Sequence, residues 1–432
     1  MMWLALAPMA GSAQVPIAQP TPRGDLFPAP APAPPGAGFG GFSAPVAPAP
    51  VRYEAPLPAS AASLIGENQM VGPGYRVDRT AQSDGMLYSF NIDTDRGPMK
   101  VESLQMMRVR LTELAAINRL RELSEEPLFL QGMGKQLENT VVATGKAIRH
   151  PVQTLKQIPV GFKKFKGEIQ AQQAVGTVYG ESGSQAYSQV KRELAYKLGV
   201  DPYSDNPVLQ DLLNNVAKNQ NRGQLVASIG TLVVGGGAGV ALAVVEMNDE
   251  FNQIIKNKSA AQLQIENSAA LESLVCKRPQ MGRLLNMPGY TASNSTAITR
   301  AMTALARVRG ICGVLDTLPP NPMPEAALLA QTQIQMAAQF HTKERPLTSV
   351  RFVEGTAVWA DAQGNSYVFT PLEYLYWNEE IDLGFRNIRQ AIGGGTLELW
   401  ISGTATPTAQ TEMLRNHNAI VRPGSFATLY KR

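Results

Sequence analysis

The sequence predicts an α+β protein. It has a mainly helical central domain with a glycine-rich, buried apolar helix or helical hairpin. A small C-terminal α+β module with antiparallel strands follows. Three observations carry this reading. Residues 223–245, GQLVASIGTLVVGGGAGVALAVV, hold no charged side chain and lie between Arg222 and Glu246. Segments with apolar residues every three or four positions flank that stretch on both sides. Beyond residue 346 the pattern changes to alternation rich in aromatic residues, which is the period of a strand.

Residues 1–13 read as the back half of a secretory signal peptide. Trp3 to Met9 is an apolar run, and Gly11-Ser12-Ala13 offers small residues before a cleavage point near Ala13–Gln14. The basic leading region is missing, which fits a start assigned too far downstream. Residues 14–60 are rich in Pro and Ala and stay near polyproline II, a semi-extended tether without a core. The protein is therefore expected to be periplasmic or secreted. There, Cys276 and Cys312 can oxidise. Spacing alone does not decide between a disulfide and two buried thiols.

The helical domain is expected over 61–318, opening with a β-hairpin. MLYSFNI alternates, DTDRG turns and PMKV continues, which pairs 86–92 with 98–102. Asp93 and Asp95 faintly resemble a calcium loop, but Gly97 and Leu104 stand where that loop wants oxygen ligands, so they read as turn residues. Residues 102–124 form an amphipathic helix, with Leu104, Met107, Leu111, Leu114 and Ile117 on its stripe. Helices are also expected over 184–198 and 207–220, the latter with Pro207 in its first turn.

Between them, residues 141–167 interleave basic and apolar side chains. Lys156, Phe162, Lys163, Lys164, Phe165 and Lys166 are the candidates here. They suit an anionic membrane surface or a protein partner. Stacking on nucleic acid bases is the poorer reading, because an exported chain rarely meets them and a net charge of +4 is weak.

The apolar centre has three readings. As one helix it is long enough to cross a bilayer. Gly235 and Gly239 form a small-xxx-small pair there, and Gly230 adds another close-packing position. As a dinucleotide turn it lacks the third glycine, because Val240 stands in that place. As two short pieces meeting at Gly235–Gly237 it belongs inside a core. This last reading ranks first, since a crossing would leave the basic region on the wrong side of the membrane.

A long polar helix over 246–275 and another helix over 295–315 follow, and PPNPMP at 319–324 marks a domain border. The C-terminal module, 325–432, starts with a helix over 325–341. Strands near 348–360 and 366–370 form a hairpin, with a third at 396–402. A helix over 407–421 and a strand near 425–431 complete the module. Tyr374, Tyr376 and Trp377 could form an exposed recognition edge, although aromatic residues here are more often core.

Motifs that carry chemistry are sparse. No nucleophile elbow, phosphate loop or H-E-x-x-H occurs, and His150, His341 and His417 are far apart in sequence. No cofactor or metal is expected. Glu373, Glu379, Glu380 and Asp382 beside Trp377 suggest a periplasmic hydrolase only as a minor alternative. The expected function is non-enzymatic: an exported cell-envelope protein that binds a protein partner or a membrane surface. The other alternative is a membrane-inserting protein that uses 223–245.

Overall fold

The computed structural model describes residues 53–123, 185–219 and 249–424. The leader, most of the tether, the basic segment with Lys156 to Lys166, and the apolar centre with Gly230, Gly235 and Gly239 lie outside the described residues. So does the strand expected near 425–431. Helices and sheets are both present, so the chain is a mixed α+β protein.

The N-terminal sheet contains β1 (Ala59–Ser60), β2 (Val71–Gly72), β3 (Tyr75–Val77), β4 (Thr80–Ser83), β5 (Tyr88–Thr94) and β6 (Gly97–Glu102). All pairings are antiparallel, and β5 contacts β3, β4 and β6. The expected hairpin is its centre. Thr94 pairs with Gly97 across Asp95-Arg96, and Gly97 has φ +111°, a backbone state that favours glycine. Along β5, Tyr88, Phe90 and Ile92 alternate inward, as the two-residue period of a half-buried strand requires. They share a core with Ile65 of the short α1 (Ala61–Ile65) and with Met106, Met107 and Leu111 of α2 (Leu104–Leu123).

Helix α2 continues into a second core with α3 (Gln185–Leu198) and α4 (Pro207–Asn219), where Leu120, Leu194, Leu209 and Leu212 are buried. Next come α5 (Asp249–Asn257) and α6 (Ala260–Ser273). The single long helix expected over 246–275 is therefore two. Ser259 breaks it: its side chain accepts from the Gln262 amide and starts α6 with a reciprocal capping box. Helices α7 (Arg278–Leu285) and α8 (Ala292–Ala304) follow. Helix α8 stops well short of the expected residue 315, with the segment around Arg307 and Arg309 in turns.

Helix α9 (Val314–Thr317) leads into α10 (Pro324–Lys343), a largely buried helix. Its Leu328 joins the N-terminal core. Ala326 and Leu329 join one face of the C-terminal sheet, and Ile334, Ala337 and Phe340 join the other. The expected border at PPNPMP is thus not a seam, because one core runs from Leu271 to Phe369 across it.

The C-terminal sheet has the order β13–β11–β9–β8–β7. Strands β7 (Leu347–Val353) and β8 (Thr356–Asp361) are joined by Glu354-Gly355, both at positive φ, a two-residue hairpin turn inside the expected single strand 348–360. Strand β9 (Ser366–Thr370) pairs antiparallel with β8. Strands β11 (Leu397–Ile401) and β13 (Ala419–Arg422) then add in parallel. The antiparallel strands expected in this module are β7, β8 and β9, and the two parallel additions were not expected. Parallel neighbours need long crossovers, and α11 (Glu379–Ile392) and α12 (Pro407–His417) supply them. β9 is buried on both faces: Tyr367 and Phe369 meet α10, while Val368 meets the α11/α12 side.

Candidate functional site

In sheets with parallel strands, ligands collect at the carboxyl ends of those strands. Here that place is built by the chain itself. After β9, residues Leu372 to Trp377 cross the end of the sheet, and β10 (Tyr374–Leu375) pairs parallel with β12 (Thr404–Ala405). Gly403 permits the approach. A Cβ on it would lie 1.8 Å from the Glu373 carbonyl oxygen, so no other residue fits without moving backbone.

Glu373 is buried. Its carboxylate accepts the Tyr88 amide at 3.0 Å and the Leu104 amide at 2.6 Å. Leu104 is the first residue of α2, so a side chain from the C-terminal module serves the open N–H groups of a distant helix. Burial raises its pKa to about 7, against the backbone donors and Arg108, which favour the ionised form. In the structure Glu373 holds a positional role, accepting amides at the head of β5 and the start of α2.

Trp377 corrects the expected recognition edge. It is 0% exposed and packs 5.9 Å from the His417 ring. Burying an indole removes a large apolar area from water, and the core under α11 provides the place for it. Tyr374 and Tyr376 are half-buried. Tyr374 stacks on Tyr88 at 6.0 Å, and the Tyr376 ring lies where a side chain on Gly85 would be. Tyr374 and Tyr376 thus reach the N-terminal sheet and its β4–β5 turn, while Trp377 belongs to the C-terminal core.

A strap from the N-terminal side closes the site. The Glu54 amide donates to the Trp377 carbonyl at 2.8 Å. In return, the Glu54 carboxylate accepts from the Trp377 amide at 2.7 Å and the Thr406 hydroxyl at 2.6 Å. Thr406 is the N-cap of α12. Beside it, Tyr53 donates to Asp382 at 3.3 Å. The tether was expected to run to residue 60, but its last residues are docked.

Asp382 also lies 2.8 Å from His417 Nε2 and 2.8 Å from Arg386. Both members of the Asp382–His417 pair are buried. Asp382 sits in the first turn of α11 and His417 in the last turn of α12, so each charge would suit its own helix dipole. Burial lowers the His417 pKa, with the Asp382 carboxylate opposing. This pair went unread in the sequence because the helix carrying Asp382 went unread. The signal was present: Asn378 caps it, acids fill its first turn, and Ile381, Phe385, Ile388 and Ile392 recur at helical spacing.

A second polar cluster lies among the helices. Asp201 accepts from the Ser293 hydroxyl at 2.6 Å, and burial raises its pKa to about 6. Lys191 is 3% exposed and donates to Gln210 at 2.6 Å, and burial lowers it to about 8. Arg110 bridges Glu113 and Asp205, each at 2.7 Å. Glu113 also accepts from Ser204 and Asn206. The DPYSDNP stretch, read as turn residues before a helix, thus ties α2, α4 and α8 together. No group of three or more metal-ligating side chains occurs among the described residues.

Cys276 and Cys312 form a disulfide, with 5.2 Å between their Cα atoms. It ties the end of α6 to the segment before α9. Among the described residues, no helix is long and apolar enough to cross a membrane. Comparisons with protein-family models, curated proteins and solved structures return no match.

Proposed function

We propose that this chain is an exported cell-envelope protein that works by attachment, to an anionic membrane surface or a protein partner, and not by chemistry of its own. The observation that carries this reading is the Cys276–Cys312 disulfide, which pairs the two cysteines of the sequence. Such a bond persists in oxidising compartments outside the cytosol. The leader-like residues 1–13 and the Pro/Ala tether support the same compartment.

The buried ionisable groups support attachment over catalysis. Glu373 caps α2, Asp382 and His417 join two helices, and Asp201 holds Ser293. Each is committed to a contact inside the protein. The basic segment with Lys163, Lys164 and Lys166 and the tether then supply the reach and the charge for a surface.

Trapping cells with a thiol-blocking reagent, followed by mass spectrometry of the mature protein, tests the compartment. The expected product starts near Gln14 and takes up the reagent at Cys276 and Cys312 only after reduction. An intact leader with both thiols already blocked would sink the proposal. Fractionation tests the attachment: high salt should strip the protein from membranes, and release by detergent alone would favour insertion.

A further inference from the structure

Helix α6 ends in a way that its sequence does not favour. The Val275 amide donates to the Glu272 carbonyl at 2.9 Å, and the Cys276 amide to the Leu271 carbonyl at 3.2 Å. This is the paired closure in which the residue after the C-cap adopts the left-handed conformation, a place usually held by glycine. Here it holds valine, at φ 62°. A β-branched residue in that region is strained. Val275 is also 85% exposed, so no packing offsets the strain.

A second local rule is broken beside it. Lys277 and Arg278 stand at the N-cap and first position of α7, the positive end of that helix, and no acid occupies its first turn. The disulfide brings a further basic pair to this place. Arg307 and Arg309 are exposed and flank the buried Val308, a few residues before Cys312. With ~3.6 Å of reach per residue, Lys277 and Arg309 lie within ~20 Å of each other. All four basic residues lack an ion-pair partner among the described residues. In the adjoining segments, Glu272 is exposed and Asp316 is engaged by Arg283 and Gln280.

Local rules that break together, without compensation inside the fold, mark places kept for binding. We propose that Val275, with Lys277 and Arg278 beside it in the chain and Arg307 and Arg309 brought near by the disulfide, forms a point at which the protein docks on an anionic lipid surface. The inference rests on the attachment reading above and names the surface it uses. Basic heads meet lipid phosphates while an exposed apolar side chain enters the boundary below them. A nucleic acid would want an aromatic side chain to stack on, and none of these five positions carries one.

The full-length oxidised protein is mixed with vesicles of phosphatidylglycerol and phosphatidylcholine, and with pure phosphatidylcholine, and sedimented at low and high salt. The wild type should bind the anionic vesicles alone and leave them at high salt. K277E/R278E/R307E/R309E should lose about tenfold or more in affinity, and the same positions changed to Gln serve if the reversed set misfolds. Val275→Gly should bind more weakly yet resist denaturant at least as well as the wild type. A quadruple variant that binds like the wild type overturns this docking point. If K163E/K164E/K166E then fails to bind, attachment survives by another surface. A wild type that ignores anionic vesicles removes both the docking point and membrane attachment.

Discussion

The Glu373 carboxylate accepts the Leu104 amide at 2.6 Å, although 269 positions separate the two residues. One side chain of the C-terminal module thereby fixes the start of the longest helix on the N-terminal side. The same carboxylate holds the Tyr88 amide at the head of β5. Sheet, helix and module are therefore joined at one buried carboxyl group.

That junction should be visible in the pH dependence of stability. Burial raises Glu373 to about 7 in the folded protein, above its ordinary value of 4.5. The native state then holds the proton longer than the unfolded chain. Its contribution is complete below about 4.5 and is lost as pH rises to about 7. Asp201, raised to about 6, acts in the same direction. Urea unfolding of Glu373→Gln across this window should show a smaller decline than the wild type, by up to ~3 kcal/mol. Parallel curves would contradict the assignment.

Asp382→Asn should destabilise the protein by about 2–4 kcal/mol, because Arg386, Tyr53 and buried His417 all lose a charged acceptor. The wild type carries a matching signature. His417 is lowered by burial, so its contribution is present above the usual histidine value and is lost as pH falls below it. Denaturant midpoints measured on both sides of that value check the direction.

Trp377→Ala should cost about 3–5 kcal/mol, the range for removing a fully buried aromatic side chain. Tyr376→Ala, at a half-buried position, should cost clearly less. If the two variants unfold alike, the separation between them is wrong.

Changing Cys276 and Cys312 together to Ser should lower stability by about 3–4 kcal/mol, from the loop that the bond closes. Adding a reductant to the wild type should give a similar loss, and adding it to the double variant should give none.

Much of the helical part was legible because the hydrophobic stripe dictates it. Helices α2, α3, α4 and α10 lie within a few residues of the spans read from spacing alone. The C-terminal module was legible as mixed and its β8–β9 pairing as antiparallel, yet the directions of β11 and β13 were not. TLELWIS reads as a strand in either direction, and only the crossover helix α11 makes it parallel. That helix was hidden by its acidic first turn, which looks like loop composition until Asn378 is seen as a cap. The aromatic residues near 374–377 misled for a different reason. An amphipathic ring suits a surface or a core equally, and here the second sheet and the strap cover it. The contacts of Glu54 and Glu373 left no local trace, because their partners lie hundreds of residues away.

The Glu54 strap has a consequence for the chain in time. Its carboxylate waits for the amide of Trp377, 323 positions later. At about 5–20 residues per second of synthesis, that wait is roughly 16–65 seconds. For most of it, the first strands lack the residue that caps α2 and the helix that runs beneath them. A nascent chain in this condition stays threadable, and remains so until most of it has left the ribosome.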